Sequence, residues 1–200
     1  MKAKLCNICQ EDIINPRSTL QNVCSMECAI EQTKRREQKR YKAETRKMRR
    51  DFNESDRSYQ LKKAQEAFCE FIRLRDRGKP CISCGTTDPN LRYDAGHYRT
   101  VGAHPELRFE EDNCHRQCHF NCNINRSGNI VDYRINLIRR IGAERVAWLE
   151  QDHPPANWTL EDIKAFKRGY RLKSKELRIK EATHRGTTNE KATHCAIYCT

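Results

Sequence analysis

The chain has 200 residues, a formal net charge of +12, a pI near 9.2 and a mean hydropathy of −0.98. That length allows one or two small domains, and so polar a composition excludes a single large apolar core. The charge points to an anionic partner, above all nucleic acid, and no apolar run is long enough to span a bilayer.

Met1-Lys2-Ala3-Lys4 runs into Cys6 without the apolar stretch of a secretory signal, so a cytoplasmic setting is expected. Twelve cysteines in a reducing compartment read as metal ligands before disulfides. Residues 1–30 hold the first quartet, Cys6-x2-Cys9 with Cys24-x3-Cys28, a treble-clef-like zinc knuckle with a turn at Asn15-Pro16. Residues 31–58 form a basic helical linker. Positions 34–50 carry ten Lys or Arg against only Glu37 and Glu44. No clear apolar stripe is visible there, as in a helix that is solvated or meets another charged molecule. Lys34, Arg35, Arg36, Lys39, Arg40, Arg46, Lys47, Arg49 and Arg50 are the candidate phosphate contacts. A break is expected at 52–58.

An amphipathic helix follows from about Tyr59 to Arg77, with Leu61, Ala64, Phe68, Phe71 and Ile72 on one face. Cys69 borders that face as a buried thiol, and Gly78 and Pro80 end the helix. Residues 81–130 are the second zinc region, with strands expected at Leu91–Tyr98 and Leu107–Phe109 and a helix starting near Cys118–Asn123. Within 131–150, Tyr133, Leu137, Ile138, Ile141, Val146 and Leu149 recur at helical spacing across a break at Gly142. Pro154-Pro155 sets off a last helix over 151–182. Thr159 is its N-cap, with Asp162 three residues on and a Trp158–Ile163 staple. A disordered tail is expected from 183, and Cys195, Cys199, His184 and His194 in it are weak metal candidates.

The second quartet is Cys81-x2-Cys84 with Cys118-x3-Cys122. Gly85 permits the tight turn beyond the first knuckle. The second pair has one residue more than usual, and His119 is the alternative ligand. Cys114 and His115 are further substitutes. Four thiolates make a closed, structural zinc site. Between its halves lies Asp94-Ala95-Gly96-His97. An imidazole there can take a proton from water near neutral pH. Asn113 can orient the His or its loop. Asn123 directly follows Cys122 and is expected to point toward the same cleft. A carboxylate from Asp94 and an amide oxygen from Asn123 suit a hard cation such as Mg²⁺, with Asn129 as substitute for Asn123.

These residues resemble the HNH, or ββα-metal, nuclease motif in an HNN form. The runs Cys81-Ile-Ser-Cys-Gly, Asp94-Ala-Gly-His-Tyr-Arg, Leu107-Arg-Phe, Asn113 through Cys118 and Ser127-Gly-Asn129 are similar to the phage NinG (Rap) recombination endonuclease family. The likeness covers the chain to about residue 182. It implies an HNH-type endodeoxyribonuclease of phage recombination, cutting Holliday junctions and D-loops in the host bacterial cell. His97, Asn113 and Asn123 would be its catalytic set. Two departures stand out: the third motif position is Asn123 rather than His, and Gly96 precedes His97 where many such enzymes carry a metal ligand. The expected fold is a small zinc-stabilised α+β protein: knuckle, long basic helix, central HNH-like module over 59–150, C-terminal helices. The cofactors are two structural zincs and a catalytic Mg²⁺. Partners are branched or recombining DNA, other recombination proteins, and a second copy, since a junction presents two opposed strands. The rival readings are a non-catalytic zinc DNA-binding protein and a recombination adaptor.

Overall fold

The computed structural model describes residues 4–14 and 16–196, with side chains described to 183. The chain divides into two compact units, Met1–Ser55 and Asp56–Thr200. The expected turn at Asn15 and the tail side chains of His184, His194, Cys195 and Cys199 lie outside the described residues. Among those residues no helix is long and apolar enough to cross a membrane.

The first unit is a cysteine-bearing loop and one long helix. A bridge between Leu5 and Asp12 closes the loop. Helix α1 spans Met26–Ser55, 30 residues with none buried. Ser25 caps it by accepting from the Cys28 N–H at 3.2 Å. The break expected at 52–58 shrinks to one residue, because α1 runs through Phe52 and α2 (Arg57–Arg75) starts at once. Asp56 makes the division: its backbone is extended and its carboxylate accepts from the Tyr59 N–H at 2.5 Å, an N-cap that starts a new helix.

The second unit is built on a two-stranded antiparallel hairpin. Strand β1 (Tyr93–His97) pairs with β2 (Cys114–Cys118), with Asp94 opposite Gln117, Gly96 opposite His115 and His97 opposite Cys114. The second strand is therefore not Leu107–Phe109. Pro105 opens a 3-10 turn over Pro105–Leu107, and Leu107 and Phe109 are buried as plugs into two different core clusters. A buried carboxylate fixes β2 against α2. Asp76 accepts from Arg75 at 2.8 and 2.9 Å, from Lys79 at 2.9 Å and from the Arg116 N–H at 3.2 Å.

Helices cover both faces of the hairpin. On one side α2 brings Ala64, Ala67, Phe68, Phe71 and Ile72 against Phe109, Cys114, Ile163 and Tyr170. The apolar face expected for α2 is this one, and Cys69 packs at its border. On the other side α3 (Ile130–Ile141) and α4 (Ala143–Glu150) bring Tyr133, Leu137, Val146 and Leu149 against Ile82, Tyr98 and Leu107. The last helix, α5 (Leu160–Ala196), packs on α2, with the Tyr170 and Phe68 rings 4.9 Å apart. Thr159 and Asp162 cap it reciprocally at 3.2 and 2.9 Å. Its backbone continues past Glu181, where the sequence led us to expect a disordered tail. No Pro follows Glu181 to stop a helix already nucleated, although Thr, His, Asn and Gly dominate the residues beyond it.

Candidate active site

Both cysteine quartets assemble. Cys6, Cys9, Cys24 and Cys28 form one group and Cys81, Cys84, Cys118 and Cys122 the other, all ligand atoms of a group within 4.8 Å of one another. In the second, Cys81 and Cys122 sulfurs are 3.9 Å apart and those of Cys84 and Cys118 are 3.6 Å apart. A tetrahedron with Zn–S bonds of about 2.3 Å has edges of about 3.8 Å, so the donors fit zinc. Burial, together with the neighbouring thiols, pushes the Cys122 thiol up to about 12. Four thiolates would not coexist there without a cation to offset their charge. Gly85, at φ +74°, closes the knuckle and donates its N–H to the Cys81 carbonyl at 2.9 Å.

The three-residue spacing of Cys118 and Cys122 has a structural cause. The expected helix is a π-helical turn, His119–Ile124, marked by the Asn125 N–H reaching the Phe120 carbonyl at 2.9 Å. The wider turn absorbs the extra residue and returns Cys122 to the zinc group. The alternatives are thereby excluded. Cys114 is buried in the α2 core, and His115 lies buried with Nδ1 3.4 Å from the Tyr133 hydroxyl. Burial, helped by nearby Arg75, lowers His115 to about 3, so it is a neutral core histidine.

His119 has a different place from the one considered for it. Its Nδ1 meets the Asp94 carboxylate, and Asn123 Nδ2 donates to the same Asp94 oxygen at 3.3 Å. Arg92 Nε lies 3.7 Å from the other oxygen. Asp94, His119 and Asn123 therefore form one polar group at the end of the hairpin. Asn129 is not part of it: it sits at φ +46° and pairs with Asp132 at the start of α3.

His97 is elsewhere. Alternation along β1 turns Asp94 and Gly96 to one face and Ala95 and His97 to the other. Its ring lies 5.7 Å from that of Phe68, and Nδ1 is 3.6 Å from the Cys114 sulfur. Nε2 lies 3.1 Å from the Arg108 carbonyl. A carbonyl only accepts, so Nε2 carries the proton and Nδ1 the lone pair. Burial lowers the His97 pKa, opposed by that carbonyl, and keeps the ring neutral at pH 7. Among the described residues no hydrogen bond or ion pair joins His97 to Asp94, His119 or Asn123. Of the residues expected in one cleft, Asp94 and His97 therefore point to alternate faces of β1, while Asn123 joins Asp94 from the π-helical turn.

Asn113 is fully buried and joins the ends of the β1–β2 connection. Its Oδ1 accepts from the Arg99 N–H at 2.8 Å, and Nδ2 donates to the Arg99 and Leu107 carbonyls at 3.0 and 3.2 Å. The next residue after Leu107 is Arg108, whose carbonyl holds His97. Gly96 is also required. A Cβ there would stand 2.2 Å from Gln117 Oε1, and the Gln117 amide is committed to the Ser83 hydroxyl at 2.7 Å.

The nine candidate phosphate contacts all lie exposed on α1. The second unit has its own cationic surface, which sequence reading missed because its members come from three segments. A cleft of about 420 Å³ is lined by Arg73, Arg77, Arg116 and Arg178, with Glu70 and Tyr93; Arg178 pairs with Glu70 and Arg77 with Glu181, which leaves Arg73 and Arg116 as its net positive charge. The Arg116 guanidinium stacks 3.6 Å from the Tyr93 ring centre, and its Nε is buried without a partner among the described residues.

Comparison with known proteins agrees with the resemblance at family level. The family model described as Bacteriophage Lambda NinG protein matches residues 1–181. The ninG protein of Escherichia phage lambda is 53% identical over 122 residues, 61% of this chain and 59% of that protein. That of Salmonella phage P22 is likewise 53% identical over 122 residues, with the same shares, 61% and 59%. That of Escherichia phage 933W is 52% identical over 122 residues, 61% and 60% of the two chains. The matched segment thus spans about 60% of the length of these relatives. No solved structure matches the chain.

Proposed function

The chain belongs to the NinG family of phage proteins, and on that premise we propose that it is a metal-dependent DNA endonuclease of phage recombination, selective for branched substrates. The observation that carries this reading is the Asn113 staple, which fixes the loop whose Arg108 carbonyl selects the His97 tautomer. A neutral imidazole with its lone pair on Nδ1 is the state a general base requires. The buried Cys114 sulfur stands 3.6 Å from that nitrogen, so a base role needs water to reach Nδ1 beside the thiol.

Asp94, His119 and Asn123 are the residues that would hold a divalent ion. An amide rotation of Asn123 exchanges its donor for Oδ1, giving a carboxylate, an amide and an imidazole. The two oxygens suit Mg²⁺, and the imidazole extends the fit to Mn²⁺. When bound, such an ion neutralises charge developing on a phosphate. Sequence-independent attraction of DNA would come from α1 and from Arg73 and Arg116.

One observation favours the rival, a non-catalytic zinc DNA-binding protein: His97 and the Asp94 group occupy opposite faces of β1. The two readings part in a cleavage assay on a four-way junction, a D-loop and linear duplex, with Mg²⁺ or Mn²⁺ added. The nuclease reading predicts nicking of the branched substrates that stops with EDTA while binding persists. Binding without cutting under every metal leaves the rival.

A further inference from the structure

Helix α1 exposes five large apolar side chains: Met26 at 72%, Ile30 at 50%, Tyr41 at 72%, Met48 at 69% and Phe52 at 66%. At about 100° per residue they fall within about 80° of the helix circumference. Of the ten Lys and Arg between 34 and 50, only Lys34 shares that arc. The apolar stripe that the sequence hides therefore exists. It is interrupted in its middle turns by Lys34, Glu37 and Glu44, which lie on the same arc.

We infer that this stripe is the docking surface for a second copy of the chain, with the two α1 helices antiparallel. The order of residues along the arc supplies the register. Setting Ile30 opposite Met48 of the second copy also sets Met26 opposite Phe52, Glu37 opposite Tyr41 and Lys34 opposite Glu44. Met26, Ile30, Met48 and Phe52 each gain an apolar neighbour, Tyr41 faces Glu37 with a hydroxyl that can donate to it, and the one cation in the arc meets an anion. The parallel, in-register pairing instead stacks Glu37 on Glu37 and Glu44 on Glu44 within the seam. Polar residues at such seam positions are what select orientation and register in paired helices. The pairing is two-fold and closed.

Five side chains of this exposure supply on the order of 500 Å² per copy, or about 1,000 Å² in total, the lower limit for a specific interface. The association is therefore weak and depends on concentration. The remaining cations of both helices face away from the seam, along a surface about 45 Å long. This inference stands on the helix alone and does not require the nuclease reading.

The test is sedimentation equilibrium of the full zinc-loaded chain, with cysteines kept reduced. The parent should dimerise with an affinity near the micromolar range, and Ile30→Asp and Met48→Asp should each weaken it at least about tenfold. Lys34→Glu and Glu44→Lys should each weaken it as well, and the double exchange should restore it. Because α1 has no buried residue, these variants should keep their helicity and zinc content. A monomer at about 100 μM would overturn the inference. So would a dimer indifferent to Ile30→Asp and Met48→Asp, a double exchange no stronger than its singles, or a stripe that binds anionic vesicles without self-association.

Discussion

Replacing Asp76 by Asn should destabilise the second unit more than any change on its surface. The carboxylate is fully buried and takes four hydrogen bonds, from Arg75 Nε and Nη2, Lys79 Nζ and the Arg116 N–H. Asn offers one acceptor oxygen and no charge. Arg75 would keep the Glu111 and Cys114 carbonyls at 2.9 and 2.8 Å but lose its counter-ion. Breaking a buried ion pair from one side costs about 3–5 kcal/mol. Partial exposure of Arg75 and Lys79 places the expectation toward the lower end, about 3 kcal/mol. Urea titration with zinc present reads this as a lowered midpoint at unchanged slope. The pH dependence fixes the cause. Burial alone would raise the Asp76 carboxyl, yet Arg75 and Lys79 hold it well below the usual carboxylate range. Its folded pKa is depressed, so its contribution is complete above the unfolded value of about 3.9 and fades as pH falls below it. The gap between parent and Asp76→Asn should be constant from neutral pH to about 5 and narrow below about 4. A gap under about 1 kcal/mol, or one that persists undiminished at low pH, would refute the assignment.

Metal analysis should return about two zinc per chain; Cys122→Ser should remove one, and His119→Ala should remove none because His119 sits on Asp94. Gly96→Ala should lower the melting temperature, since its Cβ would meet Gln117 Oε1 at 2.2 Å, and overpacking costs about 1–3 kcal/mol. Neutralising Lys34, Arg35, Arg36, Lys39 and Arg40 should lower DNA affinity and flatten its dependence on salt, read by anisotropy titration at several salt concentrations. An unchanged slope would assign α1 to protein contacts alone.

The parts of the fold that showed in the sequence are those whose signal is local. Cys81-x2-Cys84 states its own geometry, the apolar residues of α2 recur at helical spacing, and Thr159 with Asp162 forms a cap within four residues. What stayed hidden depends on distant pairing. Cys114–Cys118 reads poorly as a strand because its residues serve five different partners: a core, a tyrosine, a salt-bridged aspartate, a serine and a metal group. Leu107 and Phe109 look like strand residues but are plugs. His119 reads only as a zinc ligand, since nothing in the sequence shows that β1 brings Asp94 beside it. The catalytic cleft was expected as a unit because spacing carries no information on strand face. Asp94 and His97 are three positions apart, and an odd offset puts them on opposite sides.

The central claim is tested most directly by the rate of junction cleavage by His97→Ala, measured at saturating DNA with zinc content and binding verified. If His97 is the proposed general base, it should contribute about 10²–10⁴-fold, and the variant should lose that factor while binding survives. The parent rate should rise with pH and level off below the ordinary imidazole value, because burial lowers the His97 pKa. A variant that cuts the junction at near the parental rate would contradict the account and leave the stapled hairpin as a binding module.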